Sequence, residues 1–459
     1  MTIMEQKIAN KACVEQILSL YDKPTLVAKI RDAGIVGAGG AGFPTYVKMQ
    51  AEAEIFLVNA AECEPMLKVD QQLMALDPSA LIRGLLYGMA LTKAKEGIIA
   101  LKEKYQPAIK ALTPLLPSNV RIHILPDVYP AGDEVITIWI ATGRRVAAGA
   151  LPASIGVMVN NVQTLMWLSN ALENQSPVTT RTLTINGAVN KPLTVTVPIG
   201  TSLQQVLDLA GGITITNPAY IIGGPMMGKV STDLSAPITK TTGGILVFPD
   251  DHILVRRQNK SDQDIITAAK TVCEQCRMCT EMCPRHLIGH ELPPHEIVKA
   301  IGYENVSKPS VLLSALTCSE CGICEAYACP VEISPMRLNQ ILKKQLRSQG
   351  ARYEGELRPA DPMAEYRMVP VKRLVSRLAL TDYNKNAPLE PLNWQPDEVT
   401  IPVQQHIGAP SRPVVNLNEK VTTDQCIARS DEGTLGVSIH ASISGTVSKI
   451  SDFAITITR

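Results

Sequence analysis

Eight of the chain's eleven cysteines lie between Cys273 and Cys329, in two runs, CEQCRMCTEMCP and CSECGICEAYACP. No other feature restricts the fold so tightly. The first run spaces its thiols C-x2-C-x2-C-x3-C-P. In that spacing three thiolates on one tight turn cap three irons of a cubane, and the fourth, held by its proline, ligates the other cluster. Cys273, Cys276, Cys279 and Cys329 are therefore expected to hold one 4Fe–4S cluster, and Cys318, Cys321, Cys324 and Cys283 the other. The second run carries one extra residue before its last cysteine, which lengthens a loop without removing a ligand. Disulfides suit short secreted chains, and zinc sites stop at four ligands in paired C-x2-C units, so neither accounts for a duplicated run that ends in Cys-Pro. Two such clusters move electrons, and the rest of the sequence is read for a donor and an acceptor.

The 459 residues predict several domains, on a prior of about 150 residues each. A formal charge of +1, from 44 basic and 43 acidic residues, gives no footprint for nucleic acid, an anionic membrane surface or a polyanionic substrate. The N-terminus has no basic region followed by an apolar run, and the apolar stretch from Val135 to Leu168 is broken by Arg144 and Arg145. Neither an export signal nor a membrane span is expected. A cytoplasmic, reducing location follows, as thiolate-ligated clusters also require.

In chain order, residues 1–24 are expected as an N-terminal extension forming an amphipathic helix, with Ile8, Val14, Ile17, Leu18 and Leu20 near one face. That helix packs on its own domain or docks on a partner such as a shell or scaffold protein. Next, a helical pattern opens into a glycine-dense loop in which Gly37, Gly39 and Gly42 fit G-x-G-x-x-G. An ordinary Rossmann loop is disfavoured, because a helix precedes the glycines and Pro44 follows them. Backbone N–H groups free of side chains still approach a phosphate or a planar ring closely, with Lys48 as counter-charge. A buried strand from Glu54 to Val58 then delivers Asn59, Glu62 and Glu64 beside the loop.

These segments, GAGGAGFPTYVK and LVNAAECEP, resemble the FMN- and NADH-binding segment of the flavoprotein subunit of respiratory complex I, and more closely RnfC-like proteins. The resemblance implies that Gly37, Gly39, Gly40, Gly42, Lys48, Asn59 and Glu62 line FMN. It also implies that Phe43 and Glu64 contact the nicotinamide nucleotide by stacking and hydrogen bonding. It extends to a flavin-side acidic turn at Gly132, Asp133 and Glu134, and to Asn160, Asn161 and Thr164, which would close over the FMN. Ala61 departs from it, standing where complex I carries an acid, and so does Met66, standing where complex I carries Gly.

The resemblance divides the chain into an FMN/NADH domain (25–176), an SLBB β-grasp domain (177–250) and an α-helical dicluster ferredoxin domain (258–350). A Pro- and charge-rich linker (351–396) and an all-β barrel-sandwich-hybrid domain (397–459) complete it. The expected fold class is thus multidomain, α/β plus α+β. In the β-grasp unit two strands flank a turn and a helix ends at Gly211; it is either a cobalamin-type binding module or a spacer. The C-terminal turn SDEGT has no lysine, so no covalent swinging arm is expected. His286 and His290, beside the first cysteine run, are placed as outer or surface residues because eight thiols already complete both clusters.

In RnfC the barrel-sandwich domain comes first; here it comes last. That order is similar to the cobalamin reductase family of the propanediol-utilisation microcompartment. The likeness implies NADH-dependent reduction of cob(III)alamin and cob(II)alamin toward cob(I)alamin through FMN and both clusters. It also implies an adenosyltransferase and shell proteins as partners, and a location inside a bacterial microcompartment. No DxHxxG motif for base-off cobalt ligation is present. The alternatives are an RnfC-like electron-input subunit of a membrane complex, or an electron-relay adaptor without flavin activity of its own. NADH is expected as donor, with the preference over NADPH left open.

Overall fold

The computed structural model describes residues 3–303, 309–353 and 355–459. The first domain is built on β1 (Ile55–Ala60), β2 (Glu96–Lys102), β3 (Val120–Leu125) and, beyond a short β4 (Val128–Tyr129), β5 (Val157–Asn161). The sheet order is β3-β2-β1-β5, with every neighbour parallel. Both faces of such a sheet are covered, which is why β1 reads as the near-continuous apolar run Ile-Phe-Leu-Val. The chain winds outward from β1 through β2 to β3, then returns to the other side of β1 as β5. The carboxyl ends of β1 and β5 therefore form a topological switch point, the place where open α/β sheets bind ligands.

Eight helices belong to this domain among the described residues: α1 (Ile3–Leu20), α2 (Lys23–Asp32), α3 (Thr45–Gln50), α4 (Val69–Leu76), α5 (Pro78–Thr92), α6 (Gln106–Leu112), α7 (Glu134–Thr142) and α8 (Val162–Asn174). The expected N-terminal helix forms and lies on its own domain. Val14 is buried, Asn10 Nδ2 donates to Ser79 Oγ on α5, and Ile17 and Leu18 pack against the core. Ile8 and Leu20 do not share that face, being 59% and 62% exposed. The buried line runs through Asn10, Val14 and Ile17, at helical spacing.

The β-grasp domain follows as the sequence predicts, with β6 (Thr180–Gly187), β7 (Leu193–Pro198), β8 (Pro218–Ile222), β9 (Lys229–Ser231) and β10 (Gly244–Pro249) in the order β7-β6-β10-β8-β9. Its helix α9 (Leu203–Leu209) starts at a reciprocal Ser202/Gln205 capping box. The C-terminal domain is two small sheets of four and three strands. It packs onto the glycine loop: Lys240 Nζ donates to Gly34 O and Ser438 O, and a Cβ on Gly42 would lie 3.0 Å from Gln405 O. A domain that is last in sequence thus sits beside the first functional loop.

The described part of residues 351–396, expected as a linker, is instead a strap. Val369–Pro370 (β11) pairs antiparallel with β4, and a helix follows at Val371–Arg377. Leu374, Leu378 and Leu380 are fully buried, and Tyr383 packs edge-on against Phe248 at 5.2 Å. A Pro- and charge-rich composition hides these few apolar anchors, and the strap shares one apolar cluster with the first, β-grasp and cysteine-rich domains.

Candidate functional site

The two cysteine runs fold as local repeats of one another. Gln275 and Arg277 take positive φ (49° and 64°), and so do their counterparts Glu320 and Gly322 (60° and 79°). These left-handed residues curl each backbone so that successive thiols turn inward; only at Gly322 is the conformation free of side-chain strain. The extra residue of the second run is absorbed by a wide turn, Cys324–Ala328, with i to i+5 geometry.

One void is bordered by Cys273, Cys276, Cys279 and Cys329. A second is bordered by Cys283, Cys318, Cys321 and Cys324. These are the crossed sets that the spacing predicts. Among the described residues no three His, Cys, Asp or Glu side chains close around a single ion. Four thiols border each void, the number of protein ligands that a 4Fe–4S cluster takes. His290 is not a surface residue: it is buried, and its Nε2 faces Val146 O at 2.8 Å.

The second site lies at the switch point. Gly37 N donates to Phe43 O at 2.9 Å and closes the glycine loop, while Ala38 N donates to Thr164 Oγ1 at 2.8 Å. Asn161 lies against Gly39, and its Nδ2 donates to Asp70 Oδ2. Asn59 Nδ2 donates to Gly132 O, and Lys48 Nζ meets both Glu134 Oε1 and Val159 O. The loop, both strand ends and the turn at Gly132 are therefore one constellation. Gly40 is open, with nothing within 4 Å of where a Cβ would stand, and Phe43 is half-buried at the rim.

Its acids are not free ligands. Glu62 accepts N–H bonds from Val69 and Asp70, at 2.8 and 3.1 Å, and so caps α4. Burial, and then the Asp70 carboxylate, raises its pKa. Asp70 is itself raised by burial, against the pull of Asn161 and Arg181. Glu64 accepts from Met226 N and Met227 N, both at 2.9 Å, in the GGPMMG loop of the β-grasp domain. Burial outweighs those two bonds and pushes it up to about 7. A Cβ on Gly224 would sit 2.2 Å from Glu64 Oε2, so only glycine lets the two approach. Asp133 caps α7 through Val135 N and Ile136 N and turns its other oxygen to Arg285 at 2.9 Å, toward the cysteines.

Several residues at these sites carry no local sequence signal. Arg181 enters from the β-grasp domain, donating to Thr242 O and to Ala38 O on the glycine loop. Its Nη1 is buried without a partner, as is Asn160 Nδ2 at the end of β5. Two orphaned donors, one of them on the guanidinium that reaches Ala38 of the glycine loop, fit an anionic, hydrogen-bonding group such as FMN. Met66, where the resemblance predicts glycine, keeps a glycine-like φ of 72°. Only partners in other domains could have marked Arg181 and Arg285, and only Asn161, far along the chain, could have marked Asp70.

Comparison with known proteins agrees with this geometry. Residues 30–170 match the Nuo51 FMN-binding domain family, 182–230 the SLBB domain, 272–334 the 4Fe-4S dicluster domain and 380–459 the RnfC barrel sandwich hybrid domain. The chain is 58% identical, over 96% of its length and 98% of the relative's, to the cobalamin reductase PduS of Citrobacter freundii. It is 60% identical, over 94% of its length and 96% of the relative's, to the cobalamin reductase PduS of Salmonella typhimurium. An NAD+-reducing nickel–iron hydrogenase in its H2-reduced state shares the fold at a TM-score of 0.50 and 20% identity, over 75% of this chain and 65% of that one. With full-length similarity at this level and all four domains in place, the chain belongs to the PduS family of cobalamin reductases.

Proposed function

We propose that this chain oxidises NADH and passes the electrons to cobalamin. The observation that carries the reading is the join between its two sites: the crevice at the switch point and the void bordered by Cys283 are tied by the largely shielded Asp133–Arg285 pair. FMN, when bound, accepts the two electrons of a hydride and releases them singly, which a nicotinamide cannot do. The protein's part is to place and exclude. Gly37, Gly39, Gly40 and Gly42 present backbone to the flavin. Arg181 and Lys48 supply positive charge. Asn59, Asn160, Asn161 and Thr164 fix the walls, with Glu62 holding α4 behind them. Phe43, at the rim, is placed to stack on the nicotinamide. Glu64 holds the β-grasp loop across the opening and orients that side of the crevice, and no side chain is required as a proton donor. Cys273, Cys276, Cys279 and Cys329 hold one cluster, and Cys283, Cys318, Cys321 and Cys324 the other.

Cobalamin as acceptor rests on the similarity to the two cobalamin reductases. An adenosyltransferase would use the reduced corrin. The outer face of α1 exposes Met4 (74%) and Ile8 (59%) among its charged residues, side chains that could meet a microcompartment shell protein. Among the described residues no helix is long and apolar enough to cross a membrane. Anaerobically purified holoprotein should reduce aquacobalamin with NADH. Reduction of ferricyanide without reduction of aquacobalamin would leave the NADH dehydrogenase and remove the assignment of the acceptor.

A further inference from the structure

The two thiol sets differ in what surrounds them. The set of Cys283, Cys318, Cys321 and Cys324 faces the flavin and β-grasp domains. Tyr129 Oη, on β4, donates to Cys321 O at 2.7 Å. Arg285, two residues beyond Cys283, pairs with Asp133. A Cβ on Gly322 would lie 3.3 Å from both Cε and O of Met226, the residue whose N–H is held by Glu64. Cys321 and Cys63, the latter between the two crevice acids, pack in one apolar cluster with Met66, Tyr129 and Met226.

The other set has none of these neighbours among the described residues. Cys273 and Cys329 pack with Ile265, Ala269, Val298 and Leu338, all from the cysteine domain itself. Cys276 is exposed. Glu274, Arg277 and Val331, which border the same void as Cys276, are exposed too, and Val272, Met278 and Val331 are exposed by 41%, 40% and 37%.

We infer that the electron path has a fixed order: the Cys283/318/321/324 set is proximal to the flavin crevice, and the Cys273/276/279/329 set is the distal one, where electrons leave at the Cys276 edge. The direction of flow rests on the NADH-to-cobalamin reading; the order itself does not. NADH becomes NAD+ and a proton and gives up two electrons, each of which passes the proximal set, then the distal set, and reduces one acceptor by one electron. Electron tunnelling weakens steeply with distance, so the set bonded to the flavin domain receives first. Arg285 is a positioning residue on this path. Its buried guanidinium, shared between Asp133 and the Cys283 turn, favours the reduced, more negative state of the proximal cluster.

The order is tested by the spin relaxation of the flavin radical in holoprotein poised with dithionite, which needs no nicotinamide. A nearby reduced cluster shortens that relaxation. Cys276→Ala, which disables the distal set, should leave it short, and Cys321→Ala should lengthen it at least tenfold. The reverse pattern, or an equal change in both variants, would overturn the order. Arg285→Gln removes no thiol and covers the case in which Cys321→Ala does not fold. Of the two cluster midpoint potentials, one should fall, and it should belong to the cluster that relaxes the flavin radical; a fall in the other, or in neither, contradicts the proposal. Failure of NADH to reduce a protein that shows the expected relaxation pattern would reject the donor and leave the order standing.

Discussion

Glu64 is the side chain through which the flavin domain holds the β-grasp loop, and the pH dependence of that hold follows from its surroundings. Burial raises its pKa from 4.5 to about 7, against the opposing pull of the Met226 and Met227 amides. With the loop open, the carboxyl is solvated and titrates near the ordinary value. The closed state therefore binds the proton more tightly, and closing is most favourable below about pH 4.5. The advantage is lost as pH rises from there to about 7, and is constant above. At about 1.4 kcal/mol for each pH unit, the difference across the window is on the order of 3 kcal/mol. Hydrogen exchange at the Met226 amide, corrected for intrinsic rates at each pH, reads this equilibrium. Between pH 5 and pH 8, wild-type protection should fall by roughly 100-fold, at a factor of ten per 1.4 kcal/mol. Glu64→Gln is neutral throughout and should be flat. An equal fall in both proteins would refute the argument, and a rise in the wild type would show that the two N–H bonds outweigh burial.

Three further outcomes follow from the same structure. Asp133→Asn leaves Arg285 buried without its counter-charge, and should cost about 3–5 kcal/mol in urea unfolding of the holoprotein; Asp133→Asn with Arg285→Met should recover much of it. Arg181→Met removes the donor with a free Nη1 beside the glycine loop, and bound FMN should drop at least tenfold with the circular dichroism unchanged; full flavin content would exclude Arg181 from the site. Met66→Gly relieves about 1 kcal/mol of left-handed backbone strain but empties a buried side chain worth about 2–5 kcal/mol, so thermal stability should fall; a rise would mean the strain is the larger quantity.

The thiol sets were legible because cluster ligation is local chemistry: three spacings in each run group the thiols, and the two voids are bordered by the groups so formed. The crevice was legible for a similar reason, since glycines, a strand and its polar tip lie close in sequence. What sequence did not reveal depends on distant partners. Glu64 reads as a nicotinamide contact from its place in the resemblance, yet both oxygens are engaged 162 and 163 residues away. Arg181 reads as an ordinary strand residue until Ala38, 143 residues off, accepts its hydrogen bond. Residues 351–396 read as a linker because Leu374, Leu378 and Leu380 are few among prolines and charges, though all three are fully buried. Local composition reports what a segment contains, and burial is decided by what it meets.

The central claim is that a single chain carries electrons from NADH through both thiol sets to a corrin. Anaerobic stopped-flow mixing of holoprotein with NADH and aquacobalamin, for the wild type, Cys321→Ala and Cys276→Ala, tests it most directly. In the wild type, flavin bleaching should precede the corrin change, with two aquacobalamins reduced by one electron for each NADH. Both variants should keep the flavin bleaching and lose corrin reduction. Corrin reduction at the wild-type rate in either variant would contradict the account, because electrons would then reach the acceptor without the clusters.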